Sequence, residues 1–375
     1  MKKRMIYADN AATTKLDAEA FEAMKPFLLE DYANPSQPYS FSRSAKAAIK
    51  AARQTIAKCI NAEPEEIVFT SGGTESDNWA IKGTAFVYGD LRATLTTQME
   101  HHAVLRACEA VEMLGFPVVY MRVNSEGVLT PEALRRYITD NTKLVSVMYA
   151  NNEIGSIQPI QALCSVAHET GALFHTDAVQ AIGHCKIDVK ALDIDMLSAS
   201  AHKFNGPKGI GFLYVKHGTP LNPFLNGGAQ EAGMRAGTEN VAAIVGMATA
   251  LQKNCSSFDD TQKKLEALET ILIGKLKAES ISFLRIGSTN HLPGHLSLSF
   301  KDADGEALLH RLDLMGICIS TGAACDSKST KISHVLEAIG LDESYAKGTI
   351  RVSFGKDNME EDAVEIADAL IRILK

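Results

Sequence analysis

The stretch that decides the fold reads Ser198-Ala199-Ser200-Ala201-His202-Lys203-Phe204, and Gly206-Pro207-Lys208-Gly209 follows it. Lys203 stands just after a predicted strand, residues 196–199, and before a turn rich in glycine and proline. Open α/β sheets place their ligands at such strand ends. A lysine in a desolvated pocket has a lowered pKa and can form a Schiff base. A lone lysine after a strand is more often an ordinary surface residue, so the surrounding pattern has to support this interpretation.

Short β-rich segments alternate with amphipathic helical segments through the first two-thirds of the chain. The predicted strands cover residues 67–70, 94–97, 118–121, 144–149, 172–175, 196–199 and 209–215. The helical patterns between most of them cover residues 75–86, 103–114, 131–138 and 160–168. This alternation favours an α/β fold with a mostly parallel, seven-stranded sheet flanked by helices.

The pattern changes after two long helical segments, residues 241–253 and 259–279. Strand-like segments then mix with helical ones, which indicates a small α+β domain. We therefore predict a large domain over residues 15–255 and a small C-terminal domain over residues 256–375. We expect the N-terminal segment, residues 1–14, to pack on the small domain.

Composition and charge exclude several classes of protein. The formal net charge of -7 disfavours binding to phosphate backbones, so we expect no DNA partner. No apolar stretch approaches the roughly 18–20 residues of a membrane span, and residues 1–10 lack a signal-peptide core. We expect a cytoplasmic protein with no membrane association. The seven cysteines are scattered and contain no C-x-x-C pair, so we expect neither a disulfide framework nor a metal site.

A second motif, Thr70-Ser71-Gly72-Gly73-Thr74-Glu75-Ser76-Asp77, follows an apolar strand and opens a helix. Glycines allow close approach of the backbone to a ligand, and free N–H groups at a helix start bind anions. We expect Thr74 and Asp77 to cap this helix. A phosphate would fit here, and an ordinary glycine turn is the alternative that this motif alone leaves open. No Walker lysine follows, so a nucleotide-binding P-loop is remote.

A third motif, His175-Thr176-Asp177-Ala178-Val179-Gln180, also follows a strand. A carboxylate at Asp177 could pair with a protonated pyridine nitrogen and keep the ring a good electron acceptor. Taken alone, Asp177 is more simply a helix N-cap. A phosphate-binding turn, a strand-end aspartate and a strand-end lysine together are the parts that a pyridoxal 5'-phosphate site needs.

With these motifs the sequence resembles the cysteine desulfurases, within class V of the fold-type I pyridoxal-phosphate aminotransferases. The resemblance runs nearly end to end. Its further motifs are Asp9-Asn10-Ala11-Ala12-Thr13-Thr14, Asn34-Pro35-Ser36, Glu100-His101, Asn151-Asn152-Glu153-Ile154-Gly155, Arg235-Ala236-Gly237-Thr238, Ser320–Cys325 and Ile350-Arg351.

The resemblance implies a role for each matching residue. Lys203 is the expected Schiff-base lysine and proton carrier. His101 is expected to stack on the pyridine ring and to assist proton transfer, and the implied catalytic residues are Lys203, Cys325 and His101. Asp177 would pair with the ring nitrogen and Gln180 with the ring oxygen. The implied phosphate contacts are Gly73, Thr74, Ser200 and His202, together with Thr238 donated across the interface of a homodimer. The implied substrate-carboxylate contacts are Asn152, which also borders the cofactor, Arg351 and, as a helper, Asn34.

Cys325 distinguishes the reaction within this superfamily. It lies in a small, polar stretch, residues 320–329, whose composition suggests a loop. In the family the loop cysteine attacks the sulfur of the bound L-cysteine, giving L-alanine and a persulfide that passes to an acceptor protein. The long form of this loop resembles the group that supplies iron–sulfur scaffold proteins, with tRNA or cofactor thiolation as another destination. Asp326 disfavours the thiolate of Cys325 unless Lys328 or Lys331 compensates.

Three alternatives remain open from the sequence. The first is another reaction on the same fold, such as selenocysteine lyase, an aminotransferase or a kynureninase-like cleavage. The second is a sulfur-carrier subunit that has kept the fold and lost turnover. The third, a nucleotide-binding protein, is disfavoured by the missing Walker lysine.

Overall fold

The large sheet has the seven strands expected from the alternating pattern. In the computed structural model, which describes residues 4–87, 91–321 and 332–375, they are β2 (Ile67–Thr70), β3 (Ala93–Thr97), β4 (Val118–Met121), β5 (Thr142–Ser146), β6 (Leu173–Asp177), β7 (Met196–Ser200) and β8 (Gly211–Val215). Their order across the sheet is β2-β8-β7-β6-β5-β3-β4. Strands β3 to β7 form parallel pairs, whereas β8 runs antiparallel to both β7 and β2.

Helices cover both faces of this sheet, which explains why its central strands are buried along their whole length. Successive residues of a strand point to opposite faces. Val145 and Leu197 therefore pack with α2 (Arg43–Cys59) and α7 (Val241–Ser256), whereas Leu144 and Met196 pack with α3 (Gly73–Ala85) and α4 (His102–Met113). The helices of this part are α1 (Ala18–Leu29), α2 (Arg43–Cys59), α3 (Gly73–Ala85), α4 (His102–Met113), α5 (Pro131–Leu134), α6 (Ile160–Glu169) and α7 (Val241–Ser256).

A second, antiparallel sheet is built from the C-terminal third, with strands β9 (Leu284–Ile286), β10 (His295–Ser299), β12 (Ser320–Thr321) and β13 (Thr349–Ser353). Their order across the sheet is β12-β13-β10-β9. The surrounding helices are α8 (Phe258–Ala278), α9 (Gly305–Leu314), α10 (His334–Ala338), α11 (Glu343–Ala346) and α12 (Glu360–Leu374).

The N-terminal segment joins this second sheet region. Strand β1 (Ile6–Tyr7) pairs in parallel with β11 (Ile317–Cys318), and Ile6 and Ala8 are buried in the same apolar core as α8 and α12. The domain limits at residues 15–255 and 256–375 stay a prediction. Within the described ranges, no helix combines the length and the apolar composition that crossing a bilayer requires.

Candidate active site

A cavity of about 350 Å³ opens where the carboxyl ends of β6 and β7 meet the start of α3. This volume lies within the range of small-ligand sites. The cavity is lined by Ala11, Ala12, Gly73, Thr74, Asp77, His101, Met148, Asn152, Asp177, Val179, Gln180, Ser200, His202, Lys203 and Arg351. Every predicted site residue is in this set except Asn34, Thr238 and Cys325. Cys325 and its neighbours Asp326, Lys328 and Lys331 lie outside the described residues.

Lys203 reaches the cavity from a single turn of 3-10 helix, Ala201–Lys203, that directly follows β7. Its Nζ donates hydrogen bonds to the carbonyl oxygens of Ala11, at 2.6 Å, and Ala12, at 2.9 Å. The turn needs a glycine at position 206, because a Cβ there would lie 2.9 Å from the carbonyl oxygen of Ala201. The amine is thus positioned by backbone oxygens at the wall of the cavity.

Asp177 is the last residue of β6, and its carboxylate accepts a hydrogen bond of 2.9 Å from the N–H of Val179. Burial raises the pKa of Asp177, whereas His101, the Val179 bond and Lys203 lower it. A buried carboxylate in this position is stabilised by a cationic partner. The protonated nitrogen of a pyridine ring would meet that requirement.

His101 is the N-cap residue of α4, and its ring is fixed because Nδ1 accepts a hydrogen bond from the N–H of Ala103, at 3.1 Å. This bond leaves the ring proton on Nε2 when the side chain is neutral. Burial lowers the pKa of His101, with a smaller opposing effect from Asp177. We therefore expect a neutral imidazole with a fixed orientation beside the cavity, which is compatible with stacking on an aromatic ring.

The start of α3 provides an anion site, but not with the cap that the sequence predicted. The N-cap is Gly72, with φ of +150° and no side-chain cap, so the expected capping by Thr74 and Asp77 is wrong. A Cβ at Gly73 would lie only 2.5 Å from Cγ2 of Val179, which is why the helix start can approach this loop so closely. The N–H groups of the first turn stay available to a phosphate.

Arg351 enters the cavity from β13 and is almost fully buried, at 4 % exposure. Its Nη1 donates to the carbonyl oxygen of Asn152 and its Nη2 to Oδ1 of Asp9, both at 2.8 Å. Among the residues that the structure describes, none accepts a hydrogen bond from its buried Nε. A carboxylate is the ligand type that best suits such a guanidinium.

Two predicted residues do not line the cavity. The side chain of Asn34 accepts a hydrogen bond from the N–H of Ser36, at 2.9 Å, and stays outside. Thr238 is exposed on the surface of the chain. Its exposure is compatible with donation to a partner subunit. Both assignments stay predictions.

Sequence reasoning missed three kinds of group in the site. The carbonyl oxygens of Ala11 and Ala12 are backbone acceptors, so no side-chain motif could indicate them. Asp77 was misread as a helix cap. Glu100, quoted only as part of a motif, is fully buried and accepts hydrogen bonds from Thr97 Oγ1 and from the N–H of Met148. Burial raises the pKa of Glu100 to about 8.

The groups that line this cavity fit pyridoxal phosphate. It provides an anion-binding helix start, a carboxylate for the ring nitrogen and a lysine for the aldehyde. Ligand atoms of Asp77, His101 and Asp177 lie within 4.8 Å of one another, a spacing that a metal ion could also bridge. The adjacent phosphate site and lysine favour the organic cofactor, and the expectation of no metal stays a prediction.

Comparison with known proteins identifies the family. The family described as Aminotransferase class-V matches residues 6–366. The chain belongs to the class-V aminotransferase family. The expected family, fold and dependence on pyridoxal phosphate are therefore confirmed.

Individual relatives match over nearly their whole length. The chain is 46% identical over 375 residues to a protein named cysteine desulfurase IscS from Dictyoglomus turgidum, covering 100% of this chain and 95% of the relative. Among solved structures, a NifS-like protein superposes with a TM-score of 0.93 at 38% identity, covering 99% of each chain. A structure titled SspA in complex with cysteine superposes with a TM-score of 0.83 at 37% identity, covering 93% of this chain and 98% of that one.

Proposed function

We propose that this chain is a cysteine desulfurase, converting L-cysteine to L-alanine and transferring the sulfur as a persulfide. The end-to-end similarity to a protein named cysteine desulfurase carries this proposal. The cavity supports it, because it combines a lysine, a buried aspartate and a buried arginine around one space. Pyridoxal phosphate, when bound, supplies an aldehyde that condenses with amines and a ring that accepts the electrons left by a departing proton.

The residues of the chain divide the work around that cofactor. Arg351 binds the substrate carboxylate, with Asn152 beside it. Lys203, whose Nζ is held at the cavity wall by the carbonyls of Ala11 and Ala12, takes the Cα proton and returns a proton later. Asp177 holds the proton on the ring nitrogen, since its buried carboxylate is stabilised by that positive charge.

Cys325 completes the reaction in this proposal. Its thiolate attacks the substrate sulfur, so that an S–S bond forms, the bond between sulfur and Cβ breaks, and Cβ gains a proton. L-Cysteine and a thiol thus give L-alanine and a persulfide, which balances without an added oxidant. The persulfide then passes to an acceptor protein for iron–sulfur cluster assembly or for tRNA or cofactor thiolation. A cytoplasmic location stays a prediction from the sequence.

The decisive experiment replaces Cys325 with alanine and measures sulfide and alanine from L-cysteine in the presence of a reductant. Cys325→Ala should keep the cofactor absorbance and lose sulfide release. Cys255→Ser, at an exposed cysteine near the end of α7, is the matched control and should behave like the wild type. Undiminished sulfide release by Cys325→Ala would refute the mechanism. Turnover of selenocysteine alone would favour the lyase alternative.

A homodimer with shared active sites is the second part of the proposal. The exposed Thr238 lies outside the cavity of its own chain, so a contact with the cofactor phosphate requires a second subunit. Thr238→Ala should weaken cofactor affinity without changing the dimeric mass measured by sedimentation. A monomer that retains full cofactor affinity and activity would contradict this part.

A further inference from the structure

Beneath the cavity lies a group of four buried polar side chains, here called the buried polar layer: Asp77, Ser146, His175 and Ser198. Each is at most 1 % exposed. The ring of His175 bridges two strands, with Nδ1 2.8 Å from Oγ of Ser146 and Nε2 3.0 Å from Oγ of Ser198. The layer directly underlies Asp177, because His175 and Asp177 point to the same side of β6.

Asp77 connects this layer to the cavity. It lies in α3, four residues after the first residue of the helix, and lines the cavity. Its Oδ1 lies 3.7 Å from Nε2 of His175 and has no hydrogen-bond partner among the described residues. A carboxylate oxygen of Asp77 lies within 4.8 Å of one from Asp177.

Two buried carboxyl groups this close cannot both be ionised without a large repulsion. The groups around the two carboxyls stabilise a negative charge on Asp177 better than one on Asp77. Burial raises the pKa of Asp177 as well, but Asp177 accepts a hydrogen bond from the Val179 N–H and faces the cation of Lys203, and both stabilise its negative charge. Asp77 instead faces Asp177 and Glu100, which destabilise a negative charge, while a bond with Ser198 opposes them only in part.

His175 does not supply a positive charge to Asp77. Its ring is completely buried, and burial lowers its pKa to about 3, so it stays neutral over the working pH range. Burial and the neighbouring Asp177 raise the pKa of Asp77 well above its ordinary value. The geometry and the surrounding charges therefore both favour a proton on Asp77 rather than on Asp177.

We propose that Asp77 is a positioning residue that keeps its proton beneath the cofactor, so that Asp177 alone carries negative charge toward the ring nitrogen. A second ionised carboxylate would compete for that nitrogen's proton and shift it away from Asp177. The neutral layer of Asp77, His175 and the two serines prevents this competition. The inference rests on the proposed function only in taking the cavity as the pyridoxal-phosphate site.

The test is infrared spectroscopy of the holoenzyme, in which a protonated carboxyl gives a carbonyl band distinct from that of a carboxylate. Glu153 and Glu100, whose pKa values are raised to about 7 and about 8, contribute bands that fade as pH rises through those values. Spectra are therefore recorded on an E100Q background about one pH unit above 7, where the Glu153 band has largely faded. We expect a remaining band that D77N abolishes. Absence of any band that depends on Asp77 would overturn the proposal.

A second measurement does not depend on the D77N variant folding. D177N removes the neighbouring charge, so the pH midpoint of the Asp77 band should fall, whereas a merely structural Asp77 would show no shift.

D77N itself keeps the shape and neutrality of the side chain, so its affinity for pyridoxal phosphate should stay within about threefold of wild type. An unshifted midpoint in D177N, or an affinity loss in D77N of about tenfold or more, would refute the inference. Sulfide release by the wild-type enzyme is measured in parallel, and its absence would contradict the desulfurase proposal while leaving the Asp77 band unaffected.

Discussion

Replacing Glu100 with glutamine should stabilise the protein and change how its stability depends on pH. Glu100 is completely buried, and this burial raises the pKa of its carboxyl from 4.5 to about 8, although the bonds from Thr97 and Met148 lower it. Because the pKa of Glu100 is higher in the folded state than in the unfolded state, the stabilisation that the protonated side chain gives the fold is fully present below about pH 4.5. It is lost progressively as pH rises through the folded-state value, since the unfolded chain releases a proton that the folded chain retains.

The magnitude follows from the two pKa values. At about 1.4 kcal/mol per pH unit, the loss of stability is about 3 kcal/mol at pH 7 and levels off at about 5 kcal/mol above pH 8. Glutamine cannot ionise, and its amide oxygen can still accept the N–H of Met148. Glu100→Gln should therefore remove most of this penalty.

The assay is denaturant unfolding of the holoenzyme near pH 5, pH 7 and pH 9, with Glu337→Gln as the control at an exposed glutamate. The free energies of unfolding of wild type and Glu100→Gln should nearly coincide at the lowest pH and diverge by about 3 kcal/mol at pH 7. The control should follow the wild type throughout. Parallel pH curves for wild type and Glu100→Gln would refute the reasoning.

Three further predictions concern the cavity itself. Borohydride trapping and peptide mapping should find a cofactor adduct at Lys203 in the wild type and none in Lys203→Ala, and an equal yield of adduct would contradict the assignment. Arg351→Lys keeps a cation beside Asp9 but loses the forked donor, so the KM for cysteine should rise about tenfold or more while cofactor absorbance is unchanged. Gly73→Ala should weaken cofactor affinity in titrations, because its Cβ would lie 2.5 Å from Cγ2 of Val179, and adding Val179→Ala should restore part of the loss. An unaltered affinity in Gly73→Ala would contradict the packing argument.

The strands were predictable because burial on both faces leaves a clear apolar signal. The segments predicted at residues 67–70 and 118–121 coincide with β2 and β4. The segment predicted at 209–215 begins later, at Gly211, since Gly209 has φ of +79° and belongs to a turn. Local composition cannot show where hydrogen bonding to a neighbouring strand starts, so such boundaries shift by a few residues.

The cavity was predictable only for residues that stand in motifs next to strand or helix ends. Arg351 could be suspected as a carboxylate ligand, but its bond to Asp9 joins positions 342 residues apart, which no spacing rule connects. Asp77 was misread because a polar residue near a helix start suggests a cap, whereas α3 begins at Gly73 and turns Asp77 inward. Tertiary packing here overrides the local preference.

Glu100 raises the question of why a destabilising carboxyl stands next to His101, which lines the cavity. Its side chain joins the segment after β3 to Met148, and its backbone oxygen accepts a hydrogen bond of 3.0 Å from Nε2 of His334. These bonds fix the peptide that leads into His101, the N-cap of α4. A protonated carboxyl and an amide serve that purpose equally well, because each offers one donor and one acceptor group.

If Glu100 acts only by holding this peptide in place, Glu100→Gln gains stability and keeps sulfide release. If sulfide release falls while stability rises, the proton on Glu100 also contributes to the electrostatic balance around Asp177, which lies close enough to raise the pKa of Glu100.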